Sequence, residues 1–160
     1  MIDANVHIYT DGAARGNPGP GGYGIVMEWV GKTYRKEFAK GYKHTTNNRM
    51  ELLAVIDALK KLKNPDSRVV VFTDSKYVAD AVEKGWVFNW EKKGFKDRKN
   101  VDLWIEFLKE YRKHKVKFQW IKGHNAHPQN ERCDSLAVEA SKGKRLLTDT
   151  GFEGDSKSHF

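Results

Sequence analysis

The chain has 160 residues, 39% of them apolar, a single cysteine and a formal net charge of +8. That length suits one domain with one sizeable core. No apolar run approaches membrane-spanning length, the opening Met1-Ile2-Asp3-Ala4-Asn5 lacks the charged-then-apolar layout of a secretory leader, and one cysteine excludes an internal disulfide framework.

In chain order, residues 5–12 read as a strand, and Asn17-Pro18-Gly19-Pro20-Gly21-Gly22 as a turn. Residues 23–29 and 32–41 read as two further strands joined at Val30-Gly31, completing an antiparallel meander. Leu52, Val55, Ile56, Leu59 and Leu62 recur at helical spacing and predict a helix over 48–62, ended by Asn64-Pro65-Asp66. Residues 68–73 form a near-continuous Val/Phe run, the pattern of a strand covered on both faces. Helices are expected over 76–84, which Gly85 breaks, then 86–90, and, with a clear amphipathic stripe, 101–113. Residues 116–121 alternate as a strand, and Pro128 opens a last helix to about Ser141. The remainder, rich in Lys, Gly, Ser and Asp, reads as a tail. The domain is expected over residues 1–152, with a mobile tail over 153–160. The order predicts an α/β fold with a mixed sheet covered by helices on both faces. A helical crossover would bring 68–73 parallel to the first strand.

Two segments end alike: Val6-His7-Ile8-Tyr9-Thr10-Asp11-Gly12 and Val69-Val70-Val71-Phe72-Thr73-Asp74-Ser75. If these strands pair in parallel, Asp11 and Asp74 meet at the edge where open α/β sheets bind ligands. Buried carboxylates demand a partner, and two of them on a basic protein suit a hard divalent cation. Glu51 interrupts an apolar helical run. With Asn48 as N-cap it makes a capping-box variant, and in the company of Asp11 and Asp74 it becomes a third ligand. Asp134 lies beside the stripe Cys133, Leu136, Ala137 and Ala140, where a solvent-facing carboxylate is the commoner outcome. His124 and His127 invite a zinc reading, but one cysteine and an oxygen-rich set argue against it. His124 reads as a proton shuttle, His127 as a capping or surface residue, and Cys133 as a small buried hydrophobe.

Gly12, Gly16, Gly19, Gly21, Gly22 and Gly24 match neither a dinucleotide fingerprint nor a Walker loop. They read as a wide turn, or as bare backbone that a sugar–phosphate chain can approach. Residues 86–99 interleave Trp86, Phe88, Trp90 and Phe95 with five basic residues. Lys and Arg neutralise phosphates and aromatic faces meet sugars or bases, while some of the rings are expected in the core. Phosphate contact carries no sequence information, so binding should be sequence-tolerant.

Taken together, these motifs carry a resemblance: Thr10-Asp11-Gly12, the run Gly16 to Gly24, Thr45-Thr46-Asn47-Asn48-Arg49-Met50-Glu51-Leu52, Thr73-Asp74-Ser75, Asn100-Val101-Asp102-Leu103-Trp104, and Lys122-Gly123-His124 through Asn130-Glu131-Arg132-Cys133-Asp134. The chain resembles the bacterial ribonuclease HI family, the type 1 ribonucleases H. The resemblance implies a five-stranded mixed sheet of order 3-2-1-4-5. It also implies an endonuclease that cuts the RNA strand of RNA–DNA hybrids by a two-metal-ion mechanism and leaves 5′-phosphate and 3′-hydroxyl ends; apart from the resemblance, the single cysteine fits a reducing cytoplasm, and a monomer is expected. By the same resemblance Asp11, Glu51, Asp74 and Asp134 hold Mg²⁺ or Mn²⁺, with His124 assisting. Asn17, Asn47 and Asn48 are implied to contact the minor groove, and Thr46 and Asn89 to hold a DNA phosphate. Trp86 and Trp90 lead into a basic protrusion at Lys92 and Lys93. Lys76 stands where the family usually carries a substrate-touching glutamine, Glu91 replaces an expected basic residue, and the loop 96–99 is short. The rivals are a nuclease of the same fold acting on duplex DNA and a catalytically idle hybrid-binding module. The intact acidic set argues against idleness, and the basic protrusion argues for the hybrid.

Overall fold

The computed structural model describes residues 4–123 and 127–152. A five-stranded sheet has the order β3-β2-β1-β4-β5. Its strands are β1 (Val6–Ala14), β2 (Gly19–Trp29), β3 (Arg35–Thr45), β4 (Arg68–Thr73) and β5 (Lys115–Trp120). The helices are α1 (Asn47–Lys60), α2 (Lys76–Glu83), α3 (Trp86–Lys92), α4 (Val101–Tyr111) and α5 (Pro128–Ser141). β1, β2 and β3 pair antiparallel, whereas β4 runs parallel to both β1 and β5. This is the mixed sheet that the element order predicts.

Alternation along β1 splits the core between two faces. Val6 and Ile8 join Ile25, Met27, Val69 and Val71 beneath α1 and α4, while Tyr9 and Val26 pack with Cys133 of α5. Cys133 is fully buried, as its expected role as a small hydrophobe requires, and its thiol donates to the Tyr9 carbonyl at 3.2 Å.

Two local expectations are corrected. The N-cap of α1 is Thr46, not Asn48: the Thr46 hydroxyl accepts from the Arg49 amide at 3.2 Å. Glu51 is thereby left without a capping role. The segment after α5 is also fastened rather than tail-like. Leu147 bonds backbone to backbone with Gly41 and Lys43 at 2.8 and 2.9 Å. Asp149 is buried, accepting from the Thr45 hydroxyl at 2.7 Å and from two nitrogens of the buried Arg49 guanidinium at 2.7 and 2.9 Å. The other side of Arg49 meets both Asp102 carboxylate oxygens at 2.9 and 2.7 Å. One cation therefore ties α1 and α4 to the segment after α5, a tie that loop composition could not reveal. The expected tail at 153–160 lies outside the described residues.

Candidate active site

The ladders end where the acids begin. β1 pairs with β4 only as far as Tyr9–Phe72, although β1 continues beside β2 to Ala14. Asp11 therefore stands within β1, next to an edge that β4 has already left. Asp74 is the first residue beyond β4, whose last partner is Trp120. Glu51 comes from the first turns of α1, and it can approach because Gly12 carries no side chain. A Cβ at Gly12 would lie 2.5 Å from the Met50 carbonyl carbon and 2.7 Å from the Glu51 nitrogen. Carboxylate oxygens of Asp11, Glu51 and Asp74 consequently lie within 4.8 Å of one another.

Asp134 reaches the group from the opposite face. α5 lies directly on the sheet over Gly22, Gly24 and Gly41, where a Cβ would meet the Ala137, Cys133 and Ala140 carbonyl oxygens at 2.6, 2.2 and 2.1 Å. This close seat brings the half-buried Asp134 near enough for its charge to act on Asp11. The predicted four acids thus gather as a tight group of three with Asp134 at its flank.

Such crowding is costly for bare anions. Burial first, then the charges of Asp74 and Asp134, push the Asp11 carboxyl up to about 8. Burial also drives Glu51 well above the usual carboxylate range, with Asp11 and Asp74 adding to the shift. Among the described residues, the Glu51 Oε1 atom is buried with no hydrogen-bond partner. An all-oxygen set of crowded, buried carboxylates, one of whose oxygens lacks a partner among the described residues, fits a hard divalent cation.

The surrounding contacts were less legible. Trp120, which the sequence reading did not single out, donates its indole N–H to the Asp74 carbonyl at 3.0 Å. Gly123 lies against the Asp74 carboxylate, where a Cβ would sit 2.8 Å from Oδ2. Lys76, predicted to touch substrate, holds its ammonium 4.8 Å from the centre of the Trp120 ring. His124, the expected proton shuttle, falls outside the described residues. His127 occupies the N-cap position of α5 without a side-chain capping bond.

The predicted substrate-contact residues divide between two places. Asn17 accepts from the Asn47 amide at 3.0 Å, and the Asn47 side chain accepts from the Ala14 amide, so the glycine-rich turn and the start of α1 are fixed together. These asparagines, with Thr46 and Asn48, line a cleft of about 840 Å³ whose far wall includes Arg98, Lys99 and Asn100. Asn89 does not line that cleft; it is exposed on α3. Asn100 was quoted in a motif without a role. It adopts a left-handed backbone at φ 61° as N-cap of α4, a conformation Asn tolerates, and its amide donates to the Tyr77 hydroxyl at 3.0 Å. An asparagine just before a strong amphipathic stripe was the available signal.

In the aromatic segment, Trp86 is exposed, whereas Trp90 packs edge-on against buried Trp104 and carries Arg98 over its ring at 4.7 Å. Lys92 and Lys93 are exposed. Glu91 accepts two bonds from Arg112 at 2.8 and 2.6 Å. Glu91 is thus held in an exposed ion pair, where a basic residue would face the like charge of Arg112.

A model of the RNase H family matches residues 3–142. The chain is 52% identical over 149 residues to a Ribonuclease H of Desulforamulus reducens, covering 90% of this chain and 92% of that relative. Among solved structures it is similar to LC9-RNase H1, described as a type 1 RNase H with the type 2 active-site motif. That match has a TM-score of 0.78 and 33% identity, over 98% of this chain and 82% of that one. It is similar also to LC11-RNase H1, solved in complex with an RNA/DNA hybrid, with a TM-score of 0.61 and 30% identity, over 84% of this chain and 95% of that one.

Proposed function

This chain belongs to the ribonuclease H family, and from that premise we propose that it cleaves the RNA strand of RNA–DNA hybrids internally, with little dependence on sequence, leaving 5′-phosphate and 3′-hydroxyl ends. The observation that carries this reading is the cluster of Asp11, Glu51 and Asp74, whose carboxylate oxygens lie within 4.8 Å of one another, with Asp134 beside it. These four side chains are the proposed holders of two divalent cations, Mg²⁺ or Mn²⁺. When bound, such ions supply Lewis acidity to the attacking water and to the departing 3′ oxygen.

The protein's own groups do the remaining work. Asp11, flanked by Asp74 and Asp134, would contribute its carboxylate to the ions' hold. His124 is proposed to move a proton or to help release the 5′-phosphate. Asn17, Asn47 and Asn48 are proposed to read the minor groove, where a 2′-hydroxyl distinguishes RNA from DNA. The bond between Asn17 and Asn47 supports a preset surface for those two. Thr46 and Asn89 are proposed to hold DNA phosphates, and the cleft beside Thr46 adds Arg98 and Asn100 as neighbours suited to an anion. Trp86, Trp90, Lys92 and Lys93 form the proposed DNA-strand grip, and Lys76 adds a cation near the acids. We read the enzyme as a cytoplasmic monomer, in keeping with its single cysteine.

One assay separates this reading from its rivals. Labelled RNA–DNA, DNA–DNA and RNA–RNA duplexes are incubated with the protein and Mg²⁺, and the product ends are mapped. Cleavage of the hybrid alone, with the stated ends, is expected. Cutting of duplex DNA would favour the rival nuclease, and an intact hybrid the idle binder. Asp11→Asn should abolish cutting while hybrid binding persists.

A further inference from the structure

We propose that Trp120 is a positioning residue for Asp74, acting through the main chain; the inference rests on the reading of Asp74 as a cation ligand. The β4–β5 ladder closes with the Thr73–Trp120 pair and the Ile121 amide bonded to the Thr73 carbonyl at 2.9 Å. One residue further, the Asp74 carbonyl has run out of strand. The indole N–H of Trp120, a donor with no acceptor function, takes its place at 3.0 Å.

Asp74 depends on this contact more than its companions do. Asp11 is held inside a paired strand and Glu51 inside a helix, and both are buried; Asp74 is half-exposed at the junction between β4 and α2. Trp120 belongs to neither core cluster and is 39% exposed, so packing alone does not explain its orientation. The ring is engaged at both of its chemistries. Its edge donates to Asp74 and its face lies under the Lys76 ammonium at 4.8 Å. A single indole thus fixes the main chain of one acid and seats the cation two residues later, at the first position of α2.

The test separates the N–H from the ring. In one variant the indole is replaced by its sulfur isostere, benzothienylalanine at position 120, which keeps shape and face and removes only the donor. In the second, Trp120→Phe, the volume falls as well. The full chain is titrated with Mn²⁺ by calorimetry, beside wild type and Asp74→Asn. Melting curves in chelator establish that each variant folds. Loss of an outer contact of this kind is expected to weaken Mn²⁺ affinity about tenfold in both variants and to lower kcat, with KM for the hybrid unchanged. The isostere can be made and read even if Trp120→Phe fails to fold. An isostere that binds Mn²⁺ as wild type does, while Asp74→Asn does not, overturns the role of Trp120 alone. Wild type that takes up no Mn²⁺, or Asp74→Asn with undiminished affinity, overturns the metal-site reading and this inference with it.

Discussion

At the scale of single residues, the acids proposed to hold the cations also bear the cost of crowding. A carboxyl whose folded pKa is raised holds its proton in the native state after the unfolded chain has released it. The metal-free protein therefore loses stability as pH rises from about 4, the ordinary carboxylate value, through the range near 8 where Asp11 ionises. Glu51 shifts in the same direction. Denaturant midpoints in chelator should fall across that window, and Glu51→Gln should flatten the fall while abolishing turnover. A midpoint that climbs with pH over the same range would contradict the buried, mutually repelling cluster. Asp11 and Asp74 were legible in the sequence because two strand-like runs end in the same Thr-Asp pair. Glu51 was half legible: its local pattern by itself favours a cap over a ligand, and the three-dimensional approach through Gly12 brings it to the other acids. The indole contact to Asp74 was not legible, since a hydrogen bond from a side chain to a carbonyl 46 residues away leaves no periodic mark.

At the scale of elements, glycines set the distances that bring the acids together. Gly24 faces the Cys133 carbonyl so closely that a Cβ would sit 2.2 Å away, and the contact is with backbone that cannot rotate aside. Gly24→Ala is expected to lift α5, to cost about 1–3 kcal/mol in denaturant unfolding, and to lower kcat by displacing Asp134. Normal turnover in a stably folded Gly24→Ala protein would show that the seat of α5 does not govern that acid. The sequence reading took this row of glycines for a wide turn or a substrate approach. Spacing alone cannot show a helix that crosses from more than a hundred residues later. Element positions were far more readable, because they follow from local periodicity and breakers: β4 was expected over 68–73 and is found at Arg68–Thr73.

At the scale of the whole molecule, the fold is closed by charge as well as by core. Arg49 is buried between Asp102 and Asp149, three residues after the cap of α1 and two before Glu51. Asp149→Ala would strip the Nε side of the buried guanidinium of its partner while Asp102 still holds the other side, and is expected to cost about 1–3 kcal/mol. It would also loosen the wall that Arg49 contributes to the cleft beside Thr46. Equilibrium unfolding measures the first effect, and a rise in KM for the hybrid the second. Unchanged stability would mean that the segment after α5 is not fastened by this pair. A charged residue in a stretch of Lys, Gly, Ser and Asp gives no hint of such burial, which explains why the same stretch reads as a tail.

If acids from separate elements share one site, a divalent cation entering it must displace protons. Calorimetric titration with Mn²⁺ at pH 7, repeated in buffers of different ionisation enthalpy, counts the protons exchanged on binding. Because Asp11 titrates near 8 and Glu51 lies well above its usual range, binding should release protons at pH 7, with a smaller release in Asp11→Asn. Binding without proton release, or no binding at all, would contradict the claim.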